Sequence, residues 1–201
     1  FNNIKILHLS GYSFQDQNSR NNAVDLIEVA HQYGVSISLD PSYWYAKKYH
    51  HDHPQLLAKI DILLPNLEEA RLMSGKEDPE EACLALHELS PKVVIVKLGD
   101  GGCLLSENQQ IEHIPAFPVE KVVDTTGAGD AFCGGFLAGV LKGFSAAEAA
   151  VIGNAVASKI VASVGGHGGA PGIAELIEIL RESPWEDLKE KIEKSLNSNH
   201  I

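Results

Sequence analysis

The chain has 201 residues, of which 44% are hydrophobic and 21% are charged, a composition that suits one domain with a sizeable buried core. Its 16 basic and 27 acidic side chains give a formal net charge of −11, which argues against nucleic acid as a partner because a negative field repels a polyanion. No run of about 18 apolar residues is present, so we predict a cytoplasmic protein that does not enter a membrane.

Three cysteines, Cys83, Cys103 and Cys133, lie far apart in the sequence and form no CxxC pair. This spacing indicates neither a disulfide framework nor a structural zinc site. Because free cysteine is among the residues most often found inside proteins, we predict that all three are buried and act as small hydrophobic side chains.

Predicted strands and helices alternate in the first half of the chain. Apolar periodicity indicates strands at residues 4–9, 35–39 and 60–64, and helices at residues 23–33, 43–59 and from 67 onward. Asp40 follows the second strand directly. Ligand-binding residues of open α/β sheets collect beyond the carboxyl ends of strands, which makes Asp40 a candidate.

The segment after the third predicted strand combines an amide with two acids. Asn66 stands where a helix N-cap is expected, and Glu68 and Glu69 fall in the first helical turn. A purely structural interpretation explains all three, because the N-cap satisfies free backbone N–H groups and the helix dipole favours acids there.

The second half of the chain begins with a further helix and then a run of strands. We predict a helix at residues 79–89 with Leu89 directed inward, a buried strand at 92–98, and a hairpin through the turn at 99–102 to strands at 103–105 and 109–114. This order predicts an α/β fold whose mainly parallel sheet has an antiparallel edge. Helices follow at 132–141, 145–164 and within 172–196, and we predict a single domain over residues 1–201.

The run His50-His51-Asp52-His53 superficially resembles a set of metal ligands. Adjacent residues of a helix point to different faces, Pro54 interrupts the run, and no separated ligand of matching chemistry is evident. We therefore do not expect this cluster to bind a metal.

Residues 124–132, DTTGAGDAF, place small residues between two acids at the start of a predicted helix. Such a start leaves backbone N–H groups uncovered, and these groups bind anions. Asp130 lies among them although a carboxylate repels a bound anion, and this conflict points to chemistry rather than storage. We hypothesise that Asp130 is a base serving a hydroxyl that attacks a phosphoryl group held by the neighbouring amides.

Three other phosphate-related interpretations fit less well. A P-loop requires GxxxxGK[ST], but the Gly75-Lys76 pair is not followed by serine or threonine. A dinucleotide-binding fingerprint requires a third glycine where Phe132 stands. An aspartyl-phosphate mechanism with Asp124 as the nucleophile leaves Asp130 unexplained.

The string DTTGAGDAFCGGF at residues 124–136 closely resembles the C-terminal signature of ribokinase-like, or PfkB, carbohydrate kinases. Similar segments follow the family order along the chain: SLDP at 38–41, LLPNLEEA at 63–70, VVIVKLGDGG at 93–102 and GNAVAS at 153–158. The resemblance implies a three-layer α/β/α fold with a mainly parallel sheet and an antiparallel edge. It also implies transfer of the γ-phosphoryl group of ATP to a hydroxyl of a sugar or related metabolite.

Carried over residue by residue, the resemblance assigns the chemical step to the glycine-rich signature. Asp130 matches the family's catalytic base, and Gly127, Ala128 and Gly129 match the amides of its anion hole. Asp124 and Thr126 resemble the start of a loop that binds a monovalent cation such as K⁺. These roles imply that the signature stabilises charge during phosphoryl transfer.

The resemblance assigns the cofactors ATP and Mg²⁺ to residues outside the signature. Asn66 and Glu69 match an NxxE pair that orders magnesium and phosphate through water. Lys97 and Gly99, with Gly102 in the same turn, match nucleotide contacts, and Asn154 matches a residue beside the adenine. Lys97 is a departure, because threonine or serine is common at that position.

Family members are usually longer, and their first third carries sugar contacts and a β-sheet lid that have no counterpart here. Asp40 and Ser42 approximate an acceptor-side segment, but Tyr43 and Trp44 alter its usual polar pattern. We therefore expect an incomplete acceptor site, an exposed sheet edge that a homo-oligomer would cover, and poor phosphate transfer by this chain alone. Ribose, fructose, a keto-deoxy sugar acid and a nucleoside remain open as acceptors. The alternative function is a nucleotide-binding or assembly module without an acceptor site.

Overall fold

The computed structural model describes residues 3–49, 54–89, 91–164, 169–181 and 183–197. Phe1–Ile114 and Pro115–Ile201 form two compact units. The single domain expected over residues 1–201 stays a prediction. The His50-His51-Asp52-His53 cluster lies outside the described residues.

The first unit contains a six-stranded sheet in which the strands follow one another in chain order. Its strands are β1 Ile6–Ser10, β2 Ser36–Asp40, β3 Ile62–Leu63, β4 Val93–Lys97, β5 Cys103–Glu107 and β6 Gln110–Ile114. Strands β1 to β4 pair in parallel, and β4, β5 and β6 pair antiparallel. The predicted parallel sheet with an antiparallel edge is therefore confirmed.

The α-helices of the described residues in this unit are α1 Gln17–Gln32, α2 Pro54–Leu57, α3 Leu67–Ser74 and α4 Pro79–His87. Side chains of α1, α3 and α4 join alternate residues of the strands in one buried hydrophobic cluster. In β4, Val94 and Val96 face this cluster, and both are fully buried. A run of β-branched residues suits such a strand because both of its faces are covered.

Several element boundaries differ from those that the sequence predicts. Helix α1 begins at Gln17, six residues before the predicted start at 23, because the Asp16 side chain accepts hydrogen bonds from the first backbone N–H groups. Helix α4 ends at His87, and Leu89 beyond it is 39% exposed, so the expectation that Leu89 points inward is wrong. Within residues 43–59, a wide helical turn at Tyr45–Tyr49 precedes α2.

Strand β3 has two residues where the sequence predicts five. Asp61, just before it, donates its backbone N–H to the Ile37 carbonyl and accepts the Ile37 N–H with its side chain. A hydrogen bond to the Asp61 side chain thus replaces one backbone hydrogen bond between β2 and the start of β3. Periodicity cannot reveal this, because the apolar pattern continues through the region.

The second unit contains α5 Ala128–Leu141, α6 Ala146–Val161, α7 Ile173–Arg181 and α8 Glu186–Asn197. Helices α5 and α6 approach closely, since a Cβ atom built on Gly135 would lie 3.1 Å from the Gly153 Cα and 3.2 Å from the Ile152 carbonyl oxygen. Ser145 and Glu148 form the predicted capping box at the start of α6.

Cys83, Cys103 and Cys133 are all buried, as predicted. Among the described ranges of the chain, no helix combines the length and apolar character needed to cross a bilayer.

Candidate active site

Three predicted site residues of the first unit lie at the carboxyl ends of adjacent parallel strands. Asp40 is the last residue of β2, Asn66 follows β3, and Lys97 is the last residue of β4. Lys97 and Asn66 form a parallel bridge, and the Lys97 N–H donates to the Pro65 carbonyl at 2.9 Å. These residues meet because parallel strands end at the same edge of a sheet.

Lys97 and Asp40 form an ion pair at this edge. The Lys97 ammonium donates to Asp40 Oδ1 at 2.7 Å, and the two side chains are only 12% and 15% exposed. Sequence reasoning selected both residues but assigned them to different ligands and missed their pairing. Each residue lies at the carboxyl end of a predicted strand, but their pairing also depends on the order of the strands in the sheet.

Asn66 and Glu69 begin helix α3 with a reciprocal capping box. The Glu69 N–H donates to Asn66 Oδ1, and the Asn66 N–H donates to Glu69 Oε2, each at 2.9 Å. The Glu69 side chain is buried, and burial is the main cause that raises its pKa from 4.5 to about 7, with the nearby Lys97 opposing the rise and Asp40 adding to it. The structural interpretation of Asn66 as an N-cap is therefore correct, and Glu69 is a buried group rather than a surface charge.

Gly99 and Gly102 delimit the turn between β4 and β5. Both have positive φ angles, +66° and +84°, which residues that carry a Cβ atom adopt only at a cost in free energy. The Gly102 N–H donates to the Gly99 carbonyl at 3.1 Å, and the Leu98 N–H donates to the Gly102 carbonyl at 2.8 Å. These bonds fix the backbone just beyond Lys97.

In the second unit, the glycine-rich signature forms the start of α5. Gly127 adopts φ of +78° at the N-cap, and no side chain caps this end. The helix begins at Ala128, four residues before the predicted start at 132, because Gly127 reverses the chain locally. Asp130 therefore occupies the first turn, where it is exposed.

The amides at this helix start are not equivalent. The Ala128 N–H donates to the Thr125 carbonyl at 3.2 Å, whereas Gly129 and Asp130 are helical residues too early in α5 to find an intrahelical acceptor. The Asp130 amide was not among the sequence candidates. The N–H groups of the first turn and the dipole of a helix favour an anion, while the Asp130 carboxylate can accept a proton.

Two of the remaining candidates of the second unit, Asp124 and Asn154, form side-chain hydrogen bonds with backbone groups. The Thr126 N–H donates to Asp124 Oδ1 at 2.9 Å, so these two residues form a tight turn. Asn154 on α6 is buried, and its side-chain amide donates to the Pro115 carbonyl at 3.1 Å. Asn154 thus fixes the segment that enters the second unit.

Oxygen ligands dominate the first-unit candidates. Glu69, Asp40 and Asn66 offer carboxylate and amide oxygens, which Mg²⁺ prefers, usually with several waters retained. The described part of the chain contains no group of three or more acids, histidines or cysteines placed to hold a metal directly. The donor set fits a magnesium ion held through water.

Comparison with solved structures identifies the class of protein to which this fold belongs. A crystal structure of a putative ribokinase II from Escherichia coli, in complex with ATP and Mg²⁺, superposes with a TM-score of 0.80 and 27% sequence identity, covering 89% of this chain and 59% of that chain. The fold is thus the α/β fold of ribokinase-like kinases, as the sequence predicted.

Sequence comparison identifies the family. The model of the pfkB family carbohydrate kinases matches residues 1–171, and the chain belongs to this family. An ATP-dependent 6-phosphofructokinase of Thermoanaerobacterium thermosaccharolyticum is 32% identical over 169 residues, which cover 81% of this chain and 52% of the relative. A 2-dehydro-3-deoxygluconokinase of Escherichia coli K12 is 32% identical over 169 residues, covering 79% and 55%. The chain spans about half the length of the curated relatives it matches.

Proposed function

We propose that this chain carries the nucleotide and catalytic part of a phosphotransferase that moves the γ-phosphoryl group of ATP to a hydroxyl of a sugar or related metabolite. The observation that carries the proposal is the start of α5, where an exposed carboxylate, Asp130, shares the first turn with backbone amides that no side chain caps. In the proposed reaction Asp130 takes the proton of the attacking hydroxyl. The amides around Gly129 stabilise the negative charge on the transferring group.

Residues of the first unit have a supporting part in this proposal. Asn66 and Glu69 would hold Mg²⁺ through water, and Gly99 and Gly102 present backbone close to the nucleotide. When bound, the metal neutralises phosphate charge during transfer. The turn of Asp124 and Thr126 is proposed to hold a monovalent cation, and Asn154 to lie beside the adenine.

The acceptor is proposed to be a polyhydroxylated small molecule that contacts Asp40. The names of the two relatives indicate that one acts on a sugar phosphate and the other on a keto-deoxy sugar acid. Both molecules offer a free hydroxyl, and members of one family thus differ in the rest of the acceptor. The acceptor class assigned here is accordingly a sugar or sugar derivative.

Substitution of Asp130 by asparagine tests the proposed base. ATP consumption is measured over D-ribose, D-fructose, fructose 6-phosphate, 2-dehydro-3-deoxy-D-gluconate and nucleosides, for this chain and for any longer product of its gene. We expect Asp130→Asn to lower kcat by about a hundredfold or more, because a general base is lost, and to change the ATP dissociation constant by no more than a few-fold.

Asp25→Asn is the matched control, since Asp25 is an exposed acid on α1 outside the proposed site. A rate for Asp130→Asn within a few-fold of the wild type would contradict the base assignment. ATP binding without phosphorylation of any acceptor would instead favour a nucleotide-binding module.

A further inference from the structure

The ion pair between Lys97 and Asp40 joins two residues to which the family resemblance assigns different substrates. Lys97 matches a nucleotide contact, and Asp40 matches the acceptor side. We propose that Lys97 is a positioning residue for the acceptor-side acid Asp40 and not a ligand of the nucleotide phosphates. This inference rests on the proposed function and assigns Lys97 a role within it.

The strand registers place both side chains on one face of the sheet. Ser38 pairs with Ile62, and Ile62 pairs with Val93. Asp40 follows Ser38 by two positions in β2, and Lys97 follows Val93 by four positions in β4. Because side chains alternate between the faces of a strand, these even steps keep both side chains on the same face.

Burial makes the pair costly to separate. The ammonium and the carboxylate lie 2.7 Å apart, with side chains 12% and 15% exposed. Removing one member of a buried pair leaves an uncompensated charge, so a phosphate that drew Lys97 away would take from Asp40 the cation that it contacts in the structure. The arrangement therefore favours a lysine that stays with Asp40.

The pair fixes the orientation of the Asp40 carboxylate for recognition of an acceptor. The ammonium of Lys97 donates to Asp40 Oδ1 and so fixes the orientation of the carboxylate. An ionised carboxylate accepts hydrogen bonds from hydroxyl groups. Lys97 thus acts on a sugar-like acceptor through Asp40, without contacting the acceptor itself.

Affinity for MgATP, measured by titration calorimetry without any acceptor, separates this role from that of a phosphate ligand. The variants are Lys97→Met, Lys97→Arg and the double variant Lys97→Met with Asp40→Asn. We expect all three to bind MgATP within about threefold of the wild type. A tenfold or larger loss in Lys97→Met and in the double variant, with affinity kept in Lys97→Arg, would overturn the proposal.

The double variant also guards against misfolding, because replacing both members of a buried pair avoids an unpaired charge. Lys92→Met is the matched control, since Lys92 forms an ion pair with Asp61 at the same 2.7 Å near the opposite end of β4. We expect this variant to change neither MgATP affinity nor the KM of the acceptor.

Steady-state kinetics give the second readout, with the best acceptor found among the sugars and nucleosides named above. We expect Lys97→Met to raise the acceptor KM at least tenfold while the KM of ATP stays within threefold, and Lys97→Arg to recover most of the loss. An unchanged acceptor KM in Lys97→Met would overturn the positioning role. Failure of the wild type to bind MgATP or to phosphorylate any acceptor would overturn the proposed function, and the inference with it. A wild type that does both, together with the loss of MgATP affinity in Lys97→Met described above, would overturn the inference alone.

Discussion

The buried carboxyl group of Glu69 makes the stability of the fold depend on pH. Its pKa is about 7 in the folded chain against 4.5 as the reference value, so between these values the folded state binds more protons than the unfolded state. Stability must then fall as the pH rises from about 4.5 to about 7, by on the order of 3 kcal/mol at most. We expect Glu69→Gln to remove this part of the slope in urea unfolding curves recorded with a chelator present.

Glu68→Gln is the control for this measurement, because Glu68 is the exposed neighbour of Glu69 on α3. We expect it to keep the pH dependence of the wild type. If Glu69→Gln shows the same slope as Glu68→Gln, the Glu69 carboxyl is not the group responsible.

Individual residues were predictable where the relevant partner is close in sequence. The cap by Asn66 follows from residue types within one helical turn. The pairing of Lys97 with Asp40 did not follow, since it depends on which strands are neighbours. The burial of Glu69 was missed for a similar reason, because an acid in a first turn is ordinarily a surface charge.

The close approach of α5 and α6 depends on a glycine at the contact. Gly135 is buried, and a Cβ there would meet backbone atoms of Ile152 and Gly153, while nothing lies within 4 Å of a Cβ built on the adjacent, exposed Gly134. We expect Gly135→Leu to destabilise the protein by about 1–3 kcal/mol through overpacking. We expect Gly134→Leu to be neutral or to stabilise by about 0.5 kcal/mol, as a better helix former.

Thermal unfolding of the two leucine variants checks this expectation. Equal midpoints for Gly135→Leu and Gly134→Leu would show that the contact between the helices can open without cost.

Element types were easier to predict than element ends. The β-branched run of β4 and the glycine turn after it give clear local signals, and the hairpin was predicted correctly. The early start of α1 depends on one capping side chain, Asp16, and the shortness of β3 depends on a side-chain bond of Asp61. Each depends on the hydrogen bonds of one side chain, which an averaged apolar pattern does not register.

At the scale of the whole molecule, β1 lies at one edge of the described sheet. The Ser36 N–H donates to the Lys5 carbonyl. Because backbone groups alternate in direction along a strand, Leu7, two residues after Lys5, also directs its N–H and C=O groups toward β2. Ile6, between them, directs its N–H and C=O groups away from β2. An unpaired strand edge promotes association. We expect the 201-residue chain to associate as its concentration rises, and Ile6→Pro to reduce that association.

Sedimentation velocity over a range of concentrations measures this behaviour. Leu7→Pro is the control, because proline at that position removes a bond within the sheet and is expected to lower the unfolding midpoint rather than to affect association selectively. Identical sedimentation of the wild type and Ile6→Pro would exclude the β1 edge as the contact.

The antiparallel half of the sheet has a consequence for the order of folding. In the meander of β4, β5 and β6, pairs such as Ile95 with Leu105 are close in sequence, whereas Ile6 pairs with the distant Ser36. Closing short loops costs less chain entropy and favours rapid folding. The meander is therefore the part of the sheet that can form first, and β4 then offers its other edge as the template for the parallel strands. Lys97, at the end of β4, would thus be in place before Asp40 reaches it.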